Sequence, residues 1–143
     1  MALISILNGP NLNLLGQREP EIYGKATLAD VASLCERNCK ALGHVMHFAQ
    51  SNAEHELIDW IHQARHDAGG IVINPGAYSH TSVALRDALS AFSGPIAEVH
   101  ISNIHAREEF RHFSYISGVA NAVICGAGVE GYGFGIEVVA ARL

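Results

Sequence analysis

A glutamate and a histidine stand two positions apart at the end of an apolar run, in the sequence Glu98-Val99-His100. In a β-strand, residues two apart point to the same face of the sheet, so the carboxylate would lie beside the imidazole. A carboxylate in that place orients the ring, fixes its tautomer and favours its protonated form. The pair therefore predicts a general acid, and a buried Glu–His pair with no chemical role is the alternative.

A second candidate for chemistry is the polar segment 8–24, which also follows an apolar run. It is far longer than the ~2–6 residues that usually join a strand to a helix. Asn11, Arg18 and Tyr23 lie in it, and Gly16 and Gly24 could act as hinges. This composition is typical of a lid that closes over an anion and brings a phenol to the reaction.

A third cluster begins with Asn74 and includes His80, and both side chains can hydrogen-bond sugar-like hydroxyls. The alternative for His80 is a surface or packing role. The hydroxyl residues beside it are better explained as helix caps, which is how we interpret Ser79, Thr81 and Ser82.

Two arginines, Arg107 and Arg111, follow the Glu–His pair and are four positions apart. If the segment is helical, they share one face of the helix. The alternative is a solvated charge pattern that they form with Glu108 and Glu109.

The elements that must position these clusters are short apolar runs alternating with stretches of helical periodicity. The predicted strands are 3–7, 45–50, 70–74, 96–100 and 122–125, and the predicted helices are 27–42, 52–67, 82–92 and 132–142. Two helices have predicted N-terminal caps, and three have a glycine where a helix should end: Thr27 with Asp30, Ser51 with Glu54, Gly43, Gly69 and Gly94.

Apolar strands that alternate with helices indicate a parallel sheet covered on both faces. We predict a single α/β domain over residues 1–143, with a flavodoxin-like, doubly wound sheet of five parallel strands. Ligands of such folds bind beyond the carboxyl ends of the strands. All three polar clusters begin where a predicted strand ends, so we expect them to meet at one edge of the sheet.

Composition excludes several classes of function. The chain has 143 residues, 16% of them charged, and a formal charge of −5 without any basic run, which argues against nucleic-acid binding. No apolar stretch approaches the ~20 residues of a membrane span, and no signal peptide is visible, so we expect a cytoplasmic protein. Three cysteines without a C-x-x-C motif indicate reduced thiols. An apolar fraction of 49% is compatible with buried subunit interfaces.

Two further patterns, a glycine-rich segment and a pair of histidines, are weak evidence for a cofactor or a metal. The glycines of segment 126–131 match a dinucleotide fingerprint, but no further strand and no acidic residue follow at the required distance, so tight turns explain them better. His62 and His66 share a helix face, but no glutamate completes a zinc motif. We therefore predict neither a cofactor nor a metal.

Taken together, the three clusters resemble the type II 3-dehydroquinate dehydratases, also called type II dehydroquinases. The resemblance rests on GPNLNLLG with REPEIYG in segment 9–24, NPGAYSHTSVALRD at 74–87, and EVHISNIHAREEFRH at 98–112. It extends over the whole chain. Ser79 stands where threonine is common in the family, and we expect Gly133 and Gly135 to loosen the start of the last helix.

The resemblance implies a flavodoxin-like fold, trimers assembled into a dodecamer, and trans-dehydration of 3-dehydroquinate to 3-dehydroshikimate through an enolate, without metal or cofactor. It implies that Tyr23, as tyrosinate, removes the C2 proton and that Arg18 stabilises the phenolate. Asn11 would position a water at the enolate. His100, oriented by Glu98, would protonate the departing C1 hydroxyl.

The resemblance also implies the substrate-binding positions. The backbone N–H groups of Ile101 and Ser102 would hold the substrate carboxylate, and Arg107 would make the site electropositive. Asp87 would reach the site from a neighbouring subunit. The remaining positions bind the substrate ring and its hydroxyls: Asn74, Gly76, His80 and Arg111.

Forming a tyrosinate at pH 7 from an ordinary phenol of pKa ~10 costs about 4 kcal/mol. One exposed ion pair contributes only ~0–1 kcal/mol, so a surface Arg18 alone would not suffice. The hypothesis therefore requires a closed lid and further arginines. Two other functions stay open, namely an anion-sensing module of the same fold and a lyase or isomerase for another small polyhydroxy acid.

Overall fold

The computed structural model describes all 143 residues, and strands and helices alternate along it. Its strands are β1 (Leu3–Asn8), β2 (Val45–Gln50), β3 (Gly70–Asn74), β4 (Ile96–His100) and β5 (Ala122–Cys125). Its α-helices are α1 (Pro20–Tyr23), α2 (Leu28–Ala41), α3 (Glu54–Asp67), α4 (Val83–Ser90) and α5 (Glu130–Ala140). The loops hold five short 3-10 helices, at Leu12–Leu14, Gly76–His80, Ile104–Ala106, Glu109–Arg111 and Ser117–Val119.

All five strands are parallel, and their order in the sheet is β2-β1-β3-β4-β5. This is the flavodoxin-like order, so the predicted fold is confirmed. Helices α2 and α5 pack together on one side, and α3 packs against α4 on the other. Two separate hydrophobic cores result, one on each face of the sheet. Strands β3 and β4 are buried throughout because helices cover both of their faces.

The predicted N-terminal cap of α2 is confirmed. Thr27 accepts the N–H of Asp30 at 3.2 Å, and the Asp30 carboxylate accepts the N–H of Thr27 at 3.0 Å. The prediction for α3 is wrong, because that helix starts after Ala53 and has no side-chain cap. Ser51 instead accepts the N–H of Ala53 at 2.9 Å, within the turn that precedes the helix.

The glycine caps are confirmed only for Gly43, whose φ of 80° is in the left-handed region. Gly69 and Gly94 are not left-handed. A Cβ on Gly94 would be 2.3 Å from the carbonyl oxygen of Gly69, so these two glycines allow two backbone segments to touch.

Helix α5 begins at Glu130, two residues before its predicted start. Gly133 and Gly135 are buried inside the helix and do not loosen it. A Cβ on Gly135 would be 3.0 Å from Val99 Cγ2, and one on Gly133 would be 2.5 Å from Asn38 Nδ2. The glycines therefore let α5 pack closely against β4 and α2.

None of the helices combines the length and the apolar character needed to cross a membrane. The three cysteines are free thiols. Burial raises the pKa of Cys35 to about 12 and that of Cys39 to about 11, so both thiols stay protonated at neutral pH.

Candidate active site

A cleft of about 180 Å³ opens at the carboxyl ends of β1, β3 and β4. It lies where the topology places ligands in this class of fold. The structure brings eleven of the predicted site residues to its walls: Asn11, Arg18, Tyr23, Asn74, Gly76, His80, His100, Ile101, Ser102, Arg107 and Arg111. Glu98 lies behind His100, and Asp87 lies outside the cleft.

The loops after β1 and β3 form one wall because their backbones touch. A Cβ on Gly9 would be 2.2 Å from the Pro75 carbonyl oxygen, and Gly76 adopts a φ of 59° with its Cβ position 3.1 Å from the Pro10 carbonyl oxygen. The N–H of Gly9 also donates to the carbonyl of Asn74 at 2.8 Å. Side chains at these glycines would push the two loops apart.

The Glu98–His100 pair forms as its spacing on β4 predicts. The side chains are 0% and 5% exposed, and Nε2 of His100 lies 2.5 Å from Oε2 of Glu98. Since Nε2 is occupied by the carboxylate, Nδ1 is the ring nitrogen that remains for a ligand in the cleft.

Three serine hydroxyls surround the Glu98 carboxylate, and we call them the hydroxyl cluster (Ser79, Ser114 and Ser117). Ser114 donates to Oε2 at 2.7 Å, Ser79 donates to the same oxygen at 3.1 Å, and Ser117 donates to Oε1 at 2.7 Å. Burial alone would raise the pKa of Glu98. The hydrogen bond and charge of His100, with the hydroxyls of Ser114 and Ser117, outweigh burial and hold that pKa below its usual range.

Sequence reasoning missed Ser114 and Ser117, because no motif or spacing connects them to β4. It also assigned Ser79 to helix capping, which is wrong. Ser82 is the cap of α4 and accepts the N–H of Leu85 at 2.9 Å. Ser79 is fully buried and hydrogen-bonds Ser114 as well as Glu98.

His80 is held beside His100, with 6.2 Å between the ring centroids and an angle of 23° between the planes. Its Nδ1–H donates to the carbonyl of Phe113 at 2.7 Å, which leaves Nε2 free as an acceptor. Partial burial, together with the charges of His100 and Arg111, outweighs that carbonyl and lowers the pKa of His80. A neutral imidazole is therefore favoured at this wall.

Asn74 is oriented by the protein interior. Its Nδ2 donates to the Tyr132 hydroxyl at 2.9 Å, and its Oδ1 accepts the N–H of Gly76 at 3.1 Å. The Tyr132 hydroxyl in turn donates to Oδ1 of Asn8 at 2.7 Å. Burial raises the pKa of Tyr132, so this phenol remains a neutral link between α5 and the strand ends.

Tyr23 lines the same cleft and has two guanidinium groups near its ring. Arg107 Nη1 donates to the Tyr23 hydroxyl at 2.7 Å. The Cζ atoms of Arg18 and Arg107 are 4.9 Å and 5.2 Å from the centre of the phenol ring. Arg107 also has a buried Nε without a protein partner, so it can donate to a ligand.

The segment that carries Tyr23 has the features of a lid. Helix α1 has four residues, none of them buried. It starts after Glu19, which adopts a φ of 42°, and ends at Gly24, which has a φ of 83°. Tyr23 is its one residue that packs against the hydrophobic core. The sequence prediction of a long loop overlooked this short helix.

Arg107 and Arg111 do not share a helix face, because the continuous helix on which that prediction depended does not form. Two separate 3-10 helices, Ile104–Ala106 and Glu109–Arg111, replace the continuous helix, and Arg107 between them is extended. Both arginines still reach the cleft. Arg111 Nε also lies 2.5 Å from the Glu108 carboxylate and lowers the pKa of Glu108.

The remaining predictions concern residues outside the cleft. Asp87 is exposed on α4, and its role at a neighbouring subunit remains a prediction. The N–H groups of Gly126 and Gly128 bond the carbonyls of His100 and Ile101, as expected of tight turns. Nowhere do three or more histidine, cysteine, aspartate or glutamate side chains gather as a metal site would need.

Comparison with known proteins places this chain in a family. The family described as "Dehydroquinase class II" matches residues 2–140. The chain is 65% identical to "3-dehydroquinate dehydratase 2" of Agrobacterium fabrum, over 96% of this chain and 93% of that protein. It is 64% identical to "3-dehydroquinate dehydratase" of Streptomyces avermitilis, over 98% of this chain and 89% of that protein.

Its structure is similar to the crystal structure of the type II dehydroquinase from Propionibacterium acnes. The TM-score is 0.94 at 45% sequence identity, and the match covers 97% of this chain and 96% of that one. The agreement of sequence and fold over nearly the whole length shows that this chain belongs to the class II dehydroquinase family.

Proposed function

We propose that this protein is a 3-dehydroquinate dehydratase that eliminates water from 3-dehydroquinate to give 3-dehydroshikimate. One observation carries the proposal: a phenol flanked by two guanidinium groups faces a buried Glu–His pair across a single cleft. A trans-elimination needs a base on one side of the substrate and an acid on the other. The names of the relatives support the choice of substrate.

Tyr23 is the proposed base. As phenolate it takes the proton from C2, and the electron pair of the C–H bond moves into an enolate at C3. The contacts of Arg18 and Arg107 with the ring and the hydroxyl support this role. Both guanidinium groups lie close enough to the ring to stabilise negative charge that develops on its oxygen.

Asn11 is the proposed residue for the enolate oxygen, to which it would orient a water molecule. It lines the cleft in a left-handed conformation with a φ of 68°. Its backbone N–H donates to Oδ1 of Asn52 at 2.9 Å, which fixes this unusual conformation. The side chain is thereby free to hold a water, which would stabilise the negative charge that develops at C3.

His100 is the proposed acid. Its Nδ1–H protonates the C1 hydroxyl while the enolate electron pair returns to form the C1–C2 double bond, and water leaves. Glu98 supports the imidazolium through Nε2. After the reaction Tyr23 carries the C2 proton and His100 lacks the proton of Nδ1. Proton exchange with solvent returns Tyr23 to the phenolate and His100 to the imidazolium.

The other walls would hold the substrate. The backbone N–H groups of Ile101 and Ser102 would bind its carboxylate, and the free Nε2 of His80 would accept a hydroxyl proton. Arg107 would add positive charge, and the remaining contacts to the ring would come from Asn74, Gly76 and Arg111.

Membership of the family supports a proposal for the assembly. We propose a dodecamer built from trimers, in which Asp87 of one subunit approaches the cleft of the next. Its exposed position on α4 supports this assignment. Mass measurement of the native assembly, and mixing of Asp87→Ala subunits with Tyr23→Phe subunits, tests it. Recovery of activity in the mixture is the expected result, and inactive mixtures contradict it.

The function is tested by the ultraviolet absorbance of the purified protein mixed with 3-dehydroquinate and a chelator. A growing enone signal is expected for the unmodified chain and should be lost in Tyr23→Phe and His100→Ala. Folded protein that gives no signal would overturn the substrate assignment. Retention of the signal in either variant would overturn the role of that residue.

A further inference from the structure

The Glu98 carboxylate has a donor on each of its oxygens. Oε2 accepts hydrogen bonds from His100, Ser114 and Ser79, and Oε1 accepts one from Ser117 alone. A carboxylate held at one oxygen can rotate about its last bond, and a donor on the other oxygen stops that rotation. Ser117 therefore completes the positioning of a fully buried acid.

Residues 113–117 connect this carboxylate with the rest of the site. Besides the serines, the segment supplies the Phe113 carbonyl that fixes His80. The N–H of Tyr115 donates to the Ser79 carbonyl at 2.8 Å, and Arg86 donates to the Tyr115 carbonyl at 2.7 Å. One short segment thus orients both histidines of the cleft, although none of its residues lines the cleft.

We propose that Ser114 and Ser117 are positioning residues for the general acid, a role that rests on the proposed function. Their hydroxyls hold Glu98 ionised and aimed at Nε2 of His100, so that Nδ1 stays directed into the cleft. Neither serine touches the substrate. Removing one should therefore slow the chemical step and leave substrate binding unchanged.

The first test compares Ser117→Ala with Ser117→Thr, and uses Ser90→Ala as a control because Ser90 is an exposed serine on α4. Ser117→Ala should lower kcat about tenfold at constant KM, since a hydrogen bond to a charged group is lost. Ser117→Thr, which keeps the hydroxyl, should restore most of the rate. The control should behave like the unmodified enzyme.

The pH profile separates positioning from a general loss of structure. Without Ser117 the ionised form of Glu98 is less stable, so the part of the decline in kcat/KM at low pH that protonation of Glu98 causes should begin at higher pH. His80 and Cys125 are the other titratable groups whose charge couples to Glu98, and Arg111 lies beside His80. These groups and the proposed base Tyr23 are unchanged in the variant, so the difference between the two profiles reports on Glu98.

A proton NMR spectrum gives a readout that does not depend on turnover. The Nε2–H of His100 should give a far-downfield resonance, identified by its loss in His100→Ala. The resonance should shift in Ser117→Ala and stay in place in Ser90→Ala. If turnover is absent but the resonance responds, the substrate assignment fails and the positioning role stands. If kcat, the pH profile and the resonance all match the unmodified chain, the inference is overturned.

Discussion

The two walls of the cleft are built in opposite ways. The wall of the proposed acid, which we call the acid wall, lies on β4, where Glu98 and His100 are almost fully buried and the carboxylate has a partner on each oxygen. The wall of the proposed base, the base wall, lies on α1, which has four residues and buries none of them. Tyr23 is held mainly by the side chains of Arg18 and Arg107.

This contrast assigns different tasks to rigidity and movement. The proposed acid must keep one ring orientation. Because His100 lies on a buried strand, its ring is already oriented before the substrate binds, and no reorganisation energy is needed. The base needs a dry, positively charged environment, which exists only while the lid is closed over the cleft. On the proposed mechanism, opening of α1 would admit the substrate while His100 keeps its orientation.

The largest effect expected is that of Tyr23→Phe. Loss of a general base should reduce kcat by about 10²- to 10⁴-fold. The midpoint of thermal unfolding should stay where it was, because Tyr23 is half-buried on a peripheral helix. Enone formation and a thermal melt check both parts. A large drop in the melting temperature would mean that α1 belongs to the stable core, and the contrast between the walls would fail.

Removal of the buried carboxylate should affect both activity and stability. Glu98→Ala leaves His100 and the hydroxyl cluster without their common partner, and breaking a buried pair typically costs roughly 3–5 kcal/mol. Urea unfolding measures this loss. The matched control is Glu21→Ala on α1, where an exposed side chain should change the free energy of unfolding by less than ~0.5 kcal/mol. Equal losses in the two variants would contradict the difference between the walls.

The hinge at Gly24 predicts a smaller effect. Its φ of 83° is unfavourable for other residues, and nothing lies within 4 Å of a Cβ placed there, so Gly24→Ala introduces backbone strain alone. With a ψ of −175° this conformation is essentially confined to glycine, and the strain of ~1–3 kcal/mol should lower kcat/KM several-fold or more by disfavouring the closed lid. Global stability should change little. Steady-state kinetics with increasing viscosity detects the slower lid, and unchanged kinetics would remove Gly24 from the hinge.

The smallest effect expected concerns acid stability. The folded protein lowers the pKa of Glu98 below its unfolded value. The stabilisation from this shift is present above the unfolded pKa and is lost as the pH falls through the folded pKa. Denaturant unfolding between pH 3 and pH 7 should therefore show a shallower decline for Glu98→Gln. Tyr23→Phe should follow the unmodified chain, and a parallel change in both variants would contradict the assignment to Glu98.

Periodic patterns were sufficient to predict the sheet, its order and the meeting of the polar clusters at one edge. They work because β1, β3 and β4 are buried along nearly their whole length, so local sequence carries the information. The hydroxyl cluster could not be predicted from the sequence, because Ser114 and Ser117 approach Glu98 only through tertiary packing. The short helix α1 was missed for a related reason, since four exposed residues have no periodic signal.

The break between Arg107 and Arg111 shows a further limit. Spacing of four residues predicts a shared helix face, but the backbone between them is extended at Arg107. Both side chains nevertheless line the cleft. The prediction that the two arginines belong to the site therefore did not depend on the conformation of the backbone between them. The position of β4 in the sheet determines where this segment starts, whereas the spacing of the two arginines does not determine its backbone conformation.

The Tyr132 hydroxyl joins residues that are made at very different times during synthesis. It contacts Asn8 and Asn74, and the first of these lies 124 positions away along the chain. A chain emerging from the ribosome exposes its N-terminal strands first. Until α5 docks, both asparagines at the centre of the sheet lack their common partner. Contacts of such long sequence separation form late, so the nascent protein acquires its substrate-binding edge only at the end of folding.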